Sequence, residues 1–166
     1  MDKVLLMNKV RKKYQLEHEN MVKEKALASF NLYKKEPLFI AGIMLYWAEG
    51  RNNPSRKWLL ELTNSNPRLL KIYCNFIQKY YNPHKADLKA RLFLYPDLNE
   101  DEVRSFWSKM LQIPQSQFIK AQFLNSRSKL TKNKLSHGIC CVYIHSKDKR
   151  ITMDTWIDCF AKNMRG

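Results

Sequence analysis

Between residues 38 and 49 the chain reads LFIAGIMLYWAE: eleven apolar or small residues, closed by one acid and followed by Gly50. The run contains no Pro and no strand-like alternation, so it reads as a helix, and it is too short to span a bilayer. A helix apolar on almost every side must be buried all round or pressed against another protein. Ala41 and Gly42 would let a second backbone come close, and Gly50 reads as the C-terminal stop. The acid is the anomaly. Carbonyls at a helix C-terminus already carry partial negative charge, so Glu49 is electrostatically misplaced. A residue that breaks a local rule is a candidate for function.

The rest of the chain arranges itself around this helix. Residues 2–35 hold nine Lys or Arg against four acids, with apolar positions at Leu6, Val10, Tyr14, Met21, Ala28 and Leu32. One or two basic helices are expected there, ended by Pro37. They form an extension, residues 1–36, which either binds nucleic acid or braces the domain by that thin stripe. Residues 37–166 form the domain proper. After the basic turn 51–57, residues 58–63 alternate as a strand, with Trp58, Leu60 and Leu62 on one face and Leu59, Glu61 and Thr63 on the other. Asn66 and Pro67 start a helix that Asn82-Pro83 stops. A second strand is expected over 88–95, with Lys89 and Arg91 on one side. Asn99 caps a helix whose first turn holds Glu100, Asp101 and Glu102. Strands at 117–123 and 138–145 flank the basic loop 125–137, and an amphipathic helix over 152–164 completes the chain. Helices and strands mix through short connections, so the class is α+β with an antiparallel sheet.

Charge narrows the partner. Thirty Lys and Arg stand against fifteen Asp and Glu, a net charge of +15 spread along the whole chain. That balance favours polyanions, and phosphate backbones first among them. The four cysteines, Cys74, Cys140, Cys141 and Cys159, include no C-x-x-C pair, which speaks for buried thiols rather than a zinc site or a disulfide framework. His18, His84, His137 and His145 lack metal-ligand spacing. With no signal-peptide pattern at the start, the expected compartment is the cytoplasm or an organellar matrix, with no secretion and no membrane partner. No G-x-G-x-x-G, P-loop or G-x-S-x-G occurs, which removes the common nucleotide and acyl-transfer sites. Trp107 and Trp156 fall on apolar stripes and read as core.

The segment Phe39-Ile40-Ala41-Gly42-Ile43-Met44-Leu45-Tyr46-Trp47-Ala48-Glu49-Gly50 resembles the signature helix of the LAGLIDADG homing endonuclease family, an apolar helix with small residues at its crossing point that closes on an acid and a glycine. Here glutamate replaces the commoner aspartate, and the acid-glycine pair lies two residues further from Ala41-Gly42 than in the eponymous motif. The resemblance covers residues 38–124. It implies an αββαββα domain with an antiparallel sheet that lies in the DNA major groove. It further implies a homodimer through the helix 38–49, with one Glu49 from each copy holding Mg²⁺. Leu60-Glu61-Leu62-Thr63-Asn64 resembles the end of the family's second strand, which makes Asn64 the residue that positions water. Residues 117–122 resemble the region of its catalytic lysine, which makes Lys120 the candidate.

The leading expectation is therefore a Mg²⁺-dependent, sequence-specific endonuclease acting on double-stranded DNA. Glu49, Lys120 and Asn64 are the catalytic candidates, with Glu49 as metal ligand. Arg51, Arg56, Lys57, Lys89, Arg91, Arg127, Lys129, Lys132 and Lys134 are the candidate DNA contacts. The alternative in the same family is a non-cutting DNA- or structured-RNA-binding protein, a transcription regulator or intron maturase. A third reading is a basic scaffold for an acidic protein partner.

Overall fold

The computed structural model describes residues 3–51, 58–82, 87–125 and 135–164. Five helices and four strands follow one another as α1 (Lys3–Tyr33), α2 (Pro37–Glu49), β1 (Leu59–Asn64), α3 (Pro67–Tyr81), β2 (Lys89–Leu94), α4 (Glu100–Leu111), a short 3-10 turn (Gln115–Gln117), β3 (Gln122–Phe123), β4 (Ile139–His145) and α5 (Lys147–Asn163). Polar caps set most of the helix starts. The Asn66 side chain accepts from the amides of Arg68 and Leu69, and that of Asn99 from Asp101 and Glu102, satisfying donors that have no partner inside the helix. Glu100, Asp101 and Glu102 occupy the first turn of α4, where the helix dipole favours them. Ser146 caps α5 through the amide of Lys149. This start comes five residues before the one expected from apolar periodicity, because the charged run 147–150 looks like loop until the cap is considered.

The strands form one sheet in the order β1-β4-β2-β3. β4 pairs antiparallel with both β1 and β2, while β2 and β3 run parallel. The expectation of an antiparallel sheet is thus corrected at one edge. The β2-to-β3 connection carries α4, and a helical crossover is what parallel neighbours require. The strand expected over 117–123 is also interrupted. Phe118 bridges Ala90 and the Ile119 amide donates to the Ala90 carbonyl, but regular pairing resumes only at Gln122 and Phe123. The αββαββα order does not appear among the described residues, since one strand separates α2 from α3 and one separates α3 from α4.

Side-chain alternation divides the sheet into two unlike faces. Leu60, Leu62, Ala90, Leu92, Leu94, Cys140, Val142 and Ile144 join the main core with residues from all five helices. The aromatic centre of this core is Phe39, Phe76, Tyr80 and Trp156, with ring centroids 4.9–6.1 Å apart. Trp107 and Trp156 are buried as expected, and their indole N–H groups reach the carbonyls of His137 and Ala26. On the opposite face Leu59, Cys141 and Tyr143 form a small cluster with Phe93 and Ile119. No helix among the described residues contributes to it. Trp58, expected beside Leu60, instead lies in the turn before β1 and is 53% exposed.

Two features of α1 and α2 depart from the sequence reading. Helix α1 is one continuous 31-residue helix, and it docks by Val22, Ala26 and Phe30, not by the stripe of Leu6, Val10, Tyr14, Met21, Ala28 and Leu32, all six of which are exposed. His18 bonds Asp148 at 3.0 Å and Lys147 pairs with Glu19 at 2.7 Å, tying α1 to the start of α5. Before that point, residues 3–17 are exposed throughout. In α2, Gly42 does not wait for a foreign backbone. A Cβ there would meet the Phe76 ring at 2.1 Å, so its missing side chain admits α3 of the same chain. Gly50 ends α2 in extended geometry, φ −71°. Its need for glycine is space, because a Cβ would lie 2.3 Å from the Tyr46 carbonyl oxygen.

Candidate nucleic-acid interface and acidic site

The sheet face against which no described helix packs is ordered in cross-strand rows. Glu61 faces Tyr143, which faces Lys89; Thr63 faces Cys141, which faces Arg91; and Leu59 faces His145. Lys89 and Arg91 are exposed and share this face, as their spacing predicted. Leu59, Glu61, Arg91, Cys141, Tyr143 and His145 line a hollow of about 80 Å³. Burial pushes the Cys141 thiol up to about 11, and burial likewise raises the Tyr143 phenol. Both stay protonated at neutral pH, so the fixed charge of this face comes from Arg51, Lys89, Arg91 and Glu61. Three cations against one acid, around a hollow with an apolar floor, suit a phosphate backbone.

Chain geometry at the end of α2 carries Glu49 to the rim of the sheet. The Gly50 amide closes on the Tyr46 carbonyl at 2.7 Å, Gly50 bridges Leu62, and the Arg51 amide donates to the Glu61 carbonyl at 3.0 Å. The chain leaving the helix thus runs along the outer edge of β1. Glu49 itself is exposed. Asn64, the last residue of β1, donates from Nδ2 to Glu49 Oε2 at 3.4 Å, while its Oδ1 accepts from the Asn66 amide at 2.9 Å. The second bond orients the carboxamide so that its donor end faces the acid. Arg51 Nη1 pairs with Glu61 Oε1 at 3.0 Å, the glutamate being the less exposed partner. Two of the three catalytic candidates therefore meet, fifteen residues apart in sequence.

Lys120 does not join them. It is exposed between the Phe118 bridge and β3, on the β3 side of a sheet whose other edge is β1. At ~4.8 Å per strand, three strand spacings separate it from β1 by roughly 14 Å within one chain. Arg56, Lys57, Arg127, Lys129, Lys132 and Lys134 lie outside the described residues. Among the described residues, no group of three or more His, Cys, Asp or Glu converges to hold a metal ion. Glu49 is one exposed carboxylate beside one carboxamide. The carboxamide turns its N–H to the acid and its oxygen to the Asn66 amide, so Glu49 alone would hold a Mg²⁺ here, with waters and other oxygens completing the shell.

The outward side of α2 supplies the other half of the geometry. Phe39, Gly42, Ile43 and Tyr46 are buried, while Met44 and Trp47 are 42% and 43% exposed and Ala48 is exposed. Ala41, Met44 and Ala48 fall together, three and four apart, so an apolar ridge with small residues at both ends faces outward. Sequence reasoning missed Arg150 entirely. It is buried and bonds the Arg51 carbonyl at 2.8 Å. The signal was present, because Arg150 shares the helical stripe of Met153, Trp156 and Phe160. Tyr143 and His145 were missed too, although strand alternation with Cys141 marks their face. Among the described residues, no helix is long and apolar enough to cross a membrane. No family model matches the chain, and neither the curated proteins nor the solved structures provide a match.

Proposed function

We propose that this chain is a homodimeric, Mg²⁺-dependent DNA endonuclease of homing type, a LAGLIDADG-like domain of single-motif kind. The observation that carries the reading is the contact of Asn64 with Glu49 at the end of α2, on the rim of a basic sheet face against which no described helix packs. Glu49 was singled out as an acid at a helix C-terminus that also closes the signature-like helix, and Asn64 by resemblance to the end of the family's second strand. The fold brings the two together across fifteen residues. DNA lies against the rows of Glu61, Tyr143 and Lys89 and of Thr63, Cys141 and Arg91. Arg51, Lys89 and Arg91 hold its phosphates, with the exposed His145 and half-buried Thr63 beside them and Cys141 and Tyr143 buried beneath as the apolar floor.

Two copies meet through the outward ridge of α2 with the two-fold axis near its C-terminal end, the arrangement that brings the two Glu49 carboxylates near one another. Bound there, Mg²⁺ would activate water and stabilise the leaving oxygen. Glu49 supplies the anionic oxygen and Asn64 holds that carboxylate in place. Lys120, on the far side of the sheet, is left as a contact to the DNA backbone. The test is cleavage of a plasmid library with Mg²⁺ by the wild type and by Glu49→Gln, which removes the charge and keeps the shape. The expected result is cutting by the wild type and at least a hundredfold loss in the variant, with DNA affinity retained. Cutting that survives the substitution overturns the role of Glu49.

A second reading is favoured by one observation: among the described residues, Glu49 belongs to no group of three or more His, Cys, Asp or Glu that could hold a metal ion. A LAGLIDADG-like module that binds DNA or RNA without cutting needs no such group. Tight, Mg²⁺-independent binding with no cleavage across the library selects it.

A further inference from the structure

Arg150 is the buried charged side chain among the described residues, at 8% exposure. A guanidinium taken out of water is costly unless its donors are matched. Methionine or leucine would fill the same place on the stripe of Met153, Trp156 and Phe160 without that cost. What the guanidinium adds is donation in two directions from one rigid plane. Nε donates to both oxygens of Asp154, at 2.8 and 3.0 Å, and Nη1 donates to the Arg51 carbonyl at 2.8 Å. The Tyr46 hydroxyl donates to that same carbonyl at 3.4 Å, and the guanidinium carbon lies 5.7 Å from the Tyr46 ring centre. The Arg51 carbonyl is therefore gripped from α2 and from α5 at once.

This grip falls where the site is least supported by regular structure. Glu49 is the last residue of α2, Gly50 makes a lone bridge to Leu62, and Arg51 has one amide bond to β1. We propose that Arg150 is the positioning residue of the acidic site: it clamps the chain at Arg51 to α5 and so fixes both the Glu49 carboxylate and the Arg51 guanidinium. The inference rests on the reading of Glu49 as the metal ligand given above. Arg150 itself touches neither DNA nor metal. Its effect is on where the carboxylate stands, so it governs metal capture and the chemical step more than DNA affinity.

The experiment compares the full-length wild type, Arg150→Lys and Arg150→Met in single-turnover cleavage of a DNA site selected from the library, across a Mg²⁺ titration. Lys keeps the charge but cannot fork to two acceptors, and Met keeps the apolar stem. For Arg150→Met the expected result is a cleavage rate at least tenfold lower and a raised Mg²⁺ half-saturation, with a DNA Kd within threefold of wild type. Arg150→Lys falls between. A residue that merely holds the fold together would not shift the Mg²⁺ half-saturation while leaving DNA affinity intact. Should Arg150→Met fail to fold, Asp154→Asn, which loosens the guanidinium from outside, must move the same two quantities in the same direction. Wild-type rate and Mg²⁺ dependence in the folded variant overturn the positioning role and leave Glu49 as ligand. A wild type that never cuts overturns both.

Discussion

Glycine at position 42 shows how one residue can be read correctly for size and wrongly for purpose. The sequence marks it as a place where something must come close, and something does: the Phe76 ring, 2.1 Å from where a Cβ would stand. Phe76 is fully buried and packs on Phe39, Tyr73, Tyr80, Tyr81 and Trp156, so it cannot step aside. Gly42→Ala is therefore expected to destabilise the chain by about 1–3 kcal/mol, the usual cost of overpacking a filled core. The loss should appear in urea unfolding as a lower midpoint with an unchanged slope. A midpoint equal to wild type would mean that the Phe76 ring has room that this packing denies it. Glu49 and Asn64, the one marked as an acid at a helix C-terminus and the other by resemblance, do meet in the fold. Arg150 was passed over although it shares the stripe of Met153, Trp156 and Phe160, because a lone arginine reads as solvated until the burial of its neighbours is known. Lys120 was named by resemblance alone, and strand order, which no single-sequence pattern supplies, separates it from the acid.

At the scale of elements, periodicity and caps located α2, α3, α4, β1, β2 and β4 to within a residue or two. The weaker elements escaped for definite reasons. β3 is two residues long because its segment meets β2 only at intervals, and a pattern of alternation cannot report where pairing lapses. α5 began early because its cap, Ser146, precedes a charged turn. α1 was expected either to bind nucleic acid or to brace the domain by a thin apolar stripe, and it docks by a different set of residues, where His18 and Glu19 meet Asp148 and Lys147. Tertiary ion pairs of this sort are invisible to periodicity. What remains is an undocked arm, residues 3–17, carrying Lys3, Lys9, Arg11, Lys12 and Lys13 and about 22 Å long at 1.5 Å per residue. An isolated helix of that length is marginal in water, and its charge suits a phosphate backbone. Replacing Lys9, Arg11, Lys12 and Lys13 together by Gln should weaken DNA binding at low salt. It should also make the slope of log affinity against log salt shallower by roughly 2–3, at ~0.9 for each phosphate that is no longer neutralised. An unchanged slope would take the arm out of the DNA interface.

For the whole molecule, the question is whether one chain is a complete site. A single copy offers one carboxylate at the end of α2, and the helix that bears it turns an apolar ridge, Ala41, Met44 and Ala48 with Trp47 beside it, toward solvent. A ridge of this kind is stable in water only as a small exposed patch or as half of an interface. Glu49 follows Ala48, the last residue of the ridge, at ~100° round the helix. A copy seated on the ridge with its two-fold axis near the C-terminal end of α2 would therefore bring its own Glu49 to the same end of the contact, since an isologous contact repeats each residue across the axis. Assembly and chemistry are thus one prediction. Wild-type protein at micromolar concentration is expected to sediment as a dimer. Met44→Glu should turn it into a monomer, because two charges would be buried against apolar partners. Its thermal midpoint should stay within a few degrees of wild type at protein concentrations where both are monomeric, since Met44 leaves its own core untouched. Cleavage should vanish, while the sheet face and the arm keep part of the affinity for nonspecific DNA. Gly42→Ala should do the reverse, lowering stability without touching the outward ridge. If the wild type stays monomeric with and without DNA, Glu49 has no second carboxylate, and the cutting mechanism fails with it.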